Sequence, residues 1–447
     1  MASPWLDRAP FHWTLRREGV IAPDERLPWG HSLALGVQHI FAMFGATVLA
    51  PILMGFDPNT AIFFSGVGTL IFFVMVRGRV PSYLGSSFSF IAVVIAATAY
   101  GGSGANPNIG VALGGIIAAG VLYAAIGLVV MAVGYAWIEY LMPPVVTGAV
   151  VAVIGLNLTA PVAIADVSGS SFDTVVGLLT ALAVAGVAVY APGPTRRLPI
   201  LLGGVIGYVL YLVLANGLGM AKPIDFGAVQ SAALIGLPAL TAPKFDAHAI
   251  ALIAPIAVIL VAENLGHVKA VGAMTGRNLD SYLGRAFLGD GIATIVAGFG
   301  GGTGVTTYAE NIGVMAVTKI YSTLVFVIAA FVAIAMGFSP VFGALIRTIP
   351  VPVLGGLAIV LFGLIAATGG RIWTENRVDF GDSRNLITAA VALTLGAGNL
   401  TINIGDFSLG GIGTATFGAI IVYQILGHRP AEAVAPSRTP GAIAEAS

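Results

Sequence analysis

Long apolar stretches, broken by Gly, Pro and charge, run through the chain from residue 31 to residue 427. A helix needs ~20 apolar residues to cross the hydrocarbon core of a bilayer. On that measure the pattern predicts about fourteen membrane segments: 31–54, 59–76, 86–99, 109–134, 144–164, 172–190, 198–217, 248–270, 285–300, 306–318, 320–345, 351–370, 385–398 and 411–427. The third, ninth, tenth and thirteenth are short for full spans. Residues 1–28 mix charges with Trp5, Phe11 and Trp13 and lack the apolar core of a signal peptide. They read as a tail lying near the headgroups.

Charge placement tests the count, because Lys and Arg favour cytoplasmic loops. Sixteen of the 20 basic residues fall in the N-tail, the C-tail or loops after even-numbered segments. Loops after odd-numbered segments hold only Lys222, Lys244 and Arg347. An even number of spans with both termini inside explains the asymmetry. The chain also repeats itself. At an offset of 208, Ile138, Pro144, Val145, Gly148, Gly155 and Leu156 match Ile346, Pro352, Val353, Gly356, Gly363 and Leu364. These stretches belong to segments five and twelve. Seven is an odd step, so the two halves enter the membrane from opposite sides, which is the inverted repeat of many secondary transporters.

Segments three and ten hold equivalent places in the halves. One opens Val80-Pro-Ser-Tyr-Leu-Gly-Ser-Ser-Phe-Ser-Phe90, the other Gly298-Phe-Gly-Gly-Gly-Thr-Gly-Val-Thr-Thr-Tyr-Ala-Glu310. Paired short segments interrupted by glycine point to a transporter binding site, where half-helix N-termini aim N–H groups at a ligand. Phe88 and Tyr308 suit extended stretches before the half-helices. The glycines fit neither GxGxxG nor a P-loop.

Composition removes whole classes of function. The chain has 447 residues, 57% hydrophobic and only 9% charged, with a mean hydropathy of +0.96. No soluble enzyme, nucleic-acid-binding protein or disordered chain of this length has that balance. The absence of Cys excludes thiolate chemistry. Net charge is zero, so no attraction to polyanions follows.

Against this background the ionisable residues Glu263, His267 and Glu310 stand out. Glu263 and His267 are spaced i, i+4 on one helix face. Glu310 sits at the start of the second broken helix. A buried ionisable group is costly unless paired or water-lined, and is a functional candidate for that reason. Two plainer readings stay open: Glu263 and His267 pairing to close a helix interface, and Glu310 serving as a helix cap. His39, after Gln38, reads as a hydrogen-bonded core residue. His31 and His248 read as structural, and Asp290 and Glu139 as solvated or packed near segment ends. No spacing makes a metal site. Two carboxylates, backbone N–H groups, an aromatic face and a histidine together suit a flat neutral heterocycle with alternating N–H and C=O groups. An inorganic anion would want a fixed cation, and the broken segments hold none before Lys319.

These residues resemble the nucleobase/ascorbate transporters (nucleobase:cation symporter family 2), and most of all the bacterial uracil and uracil–xanthine permeases. The resemblance covers roughly residues 29–428. It is carried by Thr306-Thr-Tyr-Ala-Glu-Asn-Ile-Gly-Val-Met-Ala-Val-Thr-Lys319, Gly36-Val-Gln-His-Ile-Phe-Ala-Met-Phe-Gly-Ala-Thr-Val-Leu-Ala-Pro51, Leu84-Gly-Ser-Ser-Phe-Ser-Phe90 and Ala262-Glu-Asn-Leu-Gly-His267. It implies an all-α membrane protein of about fourteen segments in a 7+7 inverted repeat. Short strands would precede segments 3 and 10. A cytoplasmic tail (1–28) would be followed by a core domain (29–134 and 248–345), a gate domain (135–217 and 346–428), an external loop (218–247) and a disordered cytoplasmic tail (429–447).

The resemblance further implies that Glu263 and Glu310 hydrogen-bond a base, with Phe88, Tyr308, Ala46 and Phe362 around it. His267, supporting Glu263, would share in proton coupling. Gln38, His39, Asn311, Gly302 and Thr307 would support the site. The implied protein is not an enzyme and needs no cofactor beyond the coupling proton and no metal. It is a multi-pass protein of a bacterial-type inner membrane, a homodimer through the gate, importing uracil by alternating access. Xanthine or broad uracil–xanthine transport is the alternative, and an anion channel or exchanger on the same fold a remote one. Two departures matter. Phe362 stands where uracil permeases often have Tyr, and Asn264 where a His often follows the Glu. Glu310, where purine and ascorbate members usually carry Gln, favours a pyrimidine.

Overall fold

The computed structural model describes residues 12–102, 104–404 and 407–427. Its helices are α1 (Trp29–Met54), α2 (Pro58–Met75), α3 (Ile91–Thr98), α4 (Ile109–Val133), α5 (Ala136–Leu141), α6 (Pro144–Leu158), α7 (Ala165–Val167), α8 (Ser171–Tyr190), α9 (Pro199–Leu212) and α10 (Gly227–Ser231). There follow α11 (Ala247–Ile253), α12 (Ile256–Thr275), α13 (Leu283–Gly300), α14 (Ala309–Thr318), α15 (Thr323–Gly337), α16 (Pro340–Arg347), α17 (Val351–Glu375), α18 (Ser383–Ala397) and α19 (Gly411–Leu426). Short strands pair as β1 (Thr14–Leu15) with β2 (Glu25–Arg26), β3 (Leu84–Ser86) with β4 (Val305–Thr307), and β5 (Ile402–Ile404) with β6 (Phe407–Leu409).

Among the described residues, eight helical spans are long and apolar enough to cross a membrane, or nine if the bent pair α15–α16 counts as one. Several of the fourteen expected segments therefore take a different form. Segment eleven, expected over 320–345, is α15 and α16 meeting at 83°. Segment ten, expected to be broken, is a strand followed by a ten-residue helix. Segment five runs on past α6 through a π-helical stretch, Thr159–Ile164, that absorbs Pro161.

Local chemistry sets the boundaries. The Asp57 carboxylate accepts from Thr60 N–H at the start of α2, with Pro58 at the first helical position. Asp246 and Asp382 cap α11 and α18 in the same way. Gly55, Gly276 and Gly301 end α1, α12 and α13 in the left-handed region.

Two bundles result. In the first, α13 packs on α4 and α2, α15 on α2 and α1, and α11 on α4 and α3. In the second, α17 packs on α6 and α8, α8 on α9, and α18 and α19 on each other and on α6. With lipid as solvent there is little hydrophobic drive between helices, so close backbone approach carries the packing. A Cβ at Gly120 would stand 2.9 Å from the Gly291 carbonyl, and one at Gly284 2.9 Å from that of Gly127, which is why α4 and α13 can touch.

The N-terminal segment is more than a tail at the headgroups. Ile21 is fully buried. Its N–H donates to Lys319 O (3.1 Å), and its carbonyl accepts from Tyr321 N–H (2.8 Å). Trp13 donates to Thr323 Oγ1 (2.9 Å), and Arg277 Nη2 pairs with Asp24 (2.6 Å). Residues 1–11 and the expected tail 429–447 lie outside the described residues.

Candidate binding site

β3 and β4 cross antiparallel inside the first bundle, with Leu84 opposite Thr307, Gly85 opposite Thr306 and Ser86 opposite Val305. The ladder extends by Ser87 N–H to Gly304 O (2.9 Å) and Tyr308 N–H to Tyr83 O (3.0 Å). Pairing satisfies extended backbone that lipid could not. Gly85 is required at the crossing. A Cβ there would run into the Tyr308 ring and sit 2.6 Å from Thr47 Oγ1. Each strand hands over to a helix start: Phe88–Phe90 forms a 3-10 turn leading into α3, and Tyr308 is the residue before α14. The first N–H groups of such helices lack intrahelical partners and carry the positive end of the dipole.

Tyr308 lies in extended backbone directly before α14, as its β-propensity suggests, whereas Phe88 opens the 3-10 turn just past β3. The Tyr308 hydroxyl donates to Ser86 O (2.8 Å) and accepts from Thr47 Oγ1 (3.2 Å), so the ring is a fixed brace of the crossing. Phe88 meets Phe362 of α17 edge to face, with centroids 5.8 Å apart, and Phe362 is fully buried. Its ring joins the two bundles.

A tight cavity of about 50 Å³ lies where the crossing meets the second bundle. Glu263, His267, Thr307, Phe88, Tyr308 and Glu310 line it from the first bundle. Val151 and Ile154 of α6, and Ile365 and Thr368 of α17, close it from the second. Glu263 Oε2 is buried and finds no hydrogen-bond partner. Buried polar atoms are nearly always satisfied, so an orphan at a cavity is what a waiting ligand or water leaves.

The plainer reading, in which Glu263 and His267 pair with each other to close a helix interface, is not met: Glu263 Oε2 is unpartnered and His267 bonds elsewhere. His267 Nδ1 bonds Thr307 Oγ1 (2.9 Å). Thr307 Oγ1 donates to Asn264 Oδ1 (3.2 Å), and Asn264 Nδ2 donates to Asp290 Oδ2 (2.8 Å) and to the Tyr123 hydroxyl (2.9 Å). The directions decide the tautomer. Asn264 must present its oxygen to Thr307, whose only proton is then spent. Neutral His267 must therefore donate from Nδ1, which leaves Nε2 as its basic nitrogen. Asp290 is fully buried, so the solvated reading fails and the packed one holds. Its place as the lone acid within an apolar helix was the available signal. Glu139 does lie half-exposed, paired with Lys269 (3.0 Å).

The remaining expected residues lie further back. Ala46 is buried in α1. Asn311 Nδ2 meets both His39 Nδ1 and His39 O at 3.0 Å, and His39 packs on Phe326 with centroids 4.6 Å apart, so His39 is the hydrogen-bonded core residue expected. Gln38 Nε2 is buried without a partner. Gly302 follows α13 and packs under the Phe64 ring, where a Cβ would stand 2.9 Å from it. A second, wide cavity of about 670 Å³ runs from Glu310 between α1, α14, α9 and α17 to the exposed loop at Gly193 and Arg196. Among the described residues no group of three or more His, Cys, Asp or Glu could hold a metal ion.

Residues 30–405 match the model of a permease family, Xan_ur_permease. The chain is 60% identical over 422 residues to a protein of Escherichia coli (strain K12) that carries the name pyrimidine permease RutG, covering 94% of this chain and 95% of that one. It is 40% identical to the uracil permease of Bacillus caldolyticus (92% and 95% covered) and 38% identical to the uracil permease of Escherichia coli (strain K12) (93% and 96% covered). Among solved structures, it is similar to the transmembrane domain of a cyanobacterial bicarbonate transporter, BicA, with a TM-score of 0.59 at 17% identity (88% and 97% covered). It is also similar to SLC26A9, with a TM-score of 0.62 at 13% identity, where it spans 88% of itself and 65% of that chain. At these identities the structures speak for the fold alone.

Proposed function

The chain belongs to the Xan_ur_permease family of permeases, and from that membership we propose that it imports a nucleobase, uracil first, by proton-coupled alternating access. The observation that carries the reading is the unpartnered Glu263 Oε2 in a cavity shared with Glu310 at a half-helix N-terminus. Uracil has two ring N–H groups, N1–H and the imide N3–H, to donate to two carboxylates, and two carbonyls to accept from N–H groups, and Phe88 supplies an aromatic face. The names of the relatives, uracil and pyrimidine permeases, support the same substrate. A xanthine or broader permease is the second reading, favoured by Phe362, whose ring lacks the hydroxyl that would pick one edge of a base.

In this proposal the first bundle is the substrate-holding core and the second the gate. Phe88 against Phe362 marks where they slide. The wide cavity reaches the loop at Arg196, which the charge pattern assigns to the cytoplasmic side; this supports an inward-facing conformer in an inner membrane with both termini inside. Glu263 and His267, through its basic Nε2, take the coupling proton, and the gate supplies a homodimer contact. Titrating purified protein with uracil and with xanthine by calorimetry tests the substrate. Uracil binding the tighter supports the reading, and xanthine binding alone would replace it.

A further inference from the structure

The two cavities share four residues: Ala309 and Glu310 from α14, and Ile365 and Thr368 from α17. These four form a neck between the tight cavity and the wide one, two from each bundle. Only Glu310 and Thr368 bring polar side-chain atoms to it. The rest of the gate-side wall around the tight cavity, Val151, Ile154 and Ile365, is aliphatic. Thr368 is half-buried, and its hydroxyl proton is already given to Leu364 O (2.9 Å). Its oxygen lone pairs remain available as the one side-chain acceptor in an otherwise aliphatic gate-side wall.

We propose that Thr368 is the gate-side residue that governs passage of the base through this neck, acting on release and on substrate choice more than on resting affinity. The inference rests on the proposed nucleobase function and deepens it. A base leaving Glu310 for the wide cavity must give up hydrogen bonds before it meets water, and an unpaired polar edge in an apolar channel is costly. A threonine oxygen in the neck accepts from a ring N–H during that exchange. It favours bases that present a donor on the trailing edge and disfavours those methylated there. The plainer reading is that the hydroxyl merely back-bonds its own helix, as Ser and Thr in membrane helices often do. That reading predicts no difference between threonine and valine in transport.

The test separates binding from passage. Wild type, Thr368→Val, Thr368→Ser and Glu263→Gln are purified, checked for equal thermal stability, and measured for equilibrium uracil binding and for uracil counterflow in proteoliposomes. Thr368→Val should bind uracil within twofold of wild type yet turn over about five- to tenfold more slowly, the loss of one hydrogen bond in transit. Thr368→Ser should restore the rate. Glu263→Gln should lose binding itself. Thr368→Val transporting at the wild-type rate, or losing binding and rate together, overturns the neck proposal. Retention of full uracil binding by Glu263→Gln would overturn the underlying site reading instead, so the two failures are distinguishable.

Discussion

The two broken spans have the same frame and different chemistry. In the first, β3 and the turn at Phe88–Phe90 lead into the eight residues of α3, whose side chains are aliphatic apart from Thr98. In the second, β4 and Tyr308 lead into α14, which opens with Glu310 and Asn311. Both half-helices end on a non-glycine residue in the left-handed region, Ala99 and Lys319. Both grip α1: Asn106, held to Thr98, donates to Met54 O (3.1 Å), and Asn311 donates to His39 O (3.0 Å). Pseudo-symmetry of this kind builds the crossing, and departure from it places the chemistry. Carboxylate and amide stand on one side only, where Glu263 and His267 of α12 face them. The first span contributes backbone and the Phe88 ring.

The sharpest way to break this comparison is to remove the chemistry and keep the frame. Glu263→Ala and Glu310→Ala should each weaken uracil binding by at least about a hundredfold, because a site built on hydrogen bonds loses most when its acceptors go. Calorimetry on folded variants reads this, and near-native binding in either would sink the assignment. Breaking the frame is the complementary experiment. Gly85→Val forces a side chain into Tyr308 and Thr47 at the crossing. It should abolish binding and lower the thermal midpoint together, whereas the carboxylate variants should leave stability nearly unchanged.

Smaller effects sharpen the contrast. Asp290→Ala leaves the Asn264 amide short of a buried acceptor and should cost about 1–3 kcal/mol of stability. If His267 is oriented through Thr307 and Asn264, the same variant should impair proton-driven accumulation more than binding. A thermal midpoint equal to wild type would show the network to be dispensable. Phe362→Tyr should change uracil affinity only about two- to fivefold, the scale of one hydrogen bond, and should narrow competition by purines. No change in the competition profile would remove Phe362 from the specificity argument.

Much of this site was legible in the sequence because charge is so rare in it. Glu263, His267 and Glu310 stand out against long stretches without an ionisable residue, and all three line one cavity. The breaks at Gly85 and around Gly302 were visible because backbone approach demands glycine. Partners across helices were not legible. The i, i+4 spacing of Glu263 and His267 drew attention to each other, yet His267 bonds Thr307, forty residues away. Asp290 looked like an end-of-segment acid until α13 carried it inward against Asn264 and Tyr123. Spacing along a helix reports which residues share a face, and says nothing of what a neighbouring helix brings to that face. The same limit hid Val151, Ile154, Ile365 and Thr368, ordinary residues of apolar helices whose place at the site follows only from how the two bundles meet.

The central claim, that the carboxylate-bearing side of the crossing holds a pyrimidine and is driven by protons, is tested most directly by uptake of labelled uracil into proteoliposomes under an imposed proton gradient. The account predicts accumulation that collapses with a protonophore, is absent in Glu310→Ala, and is inhibited far less by xanthine than by the same concentration of unlabelled uracil. Uptake indifferent to the gradient, or abolished by xanthine at equal concentration, would contradict it.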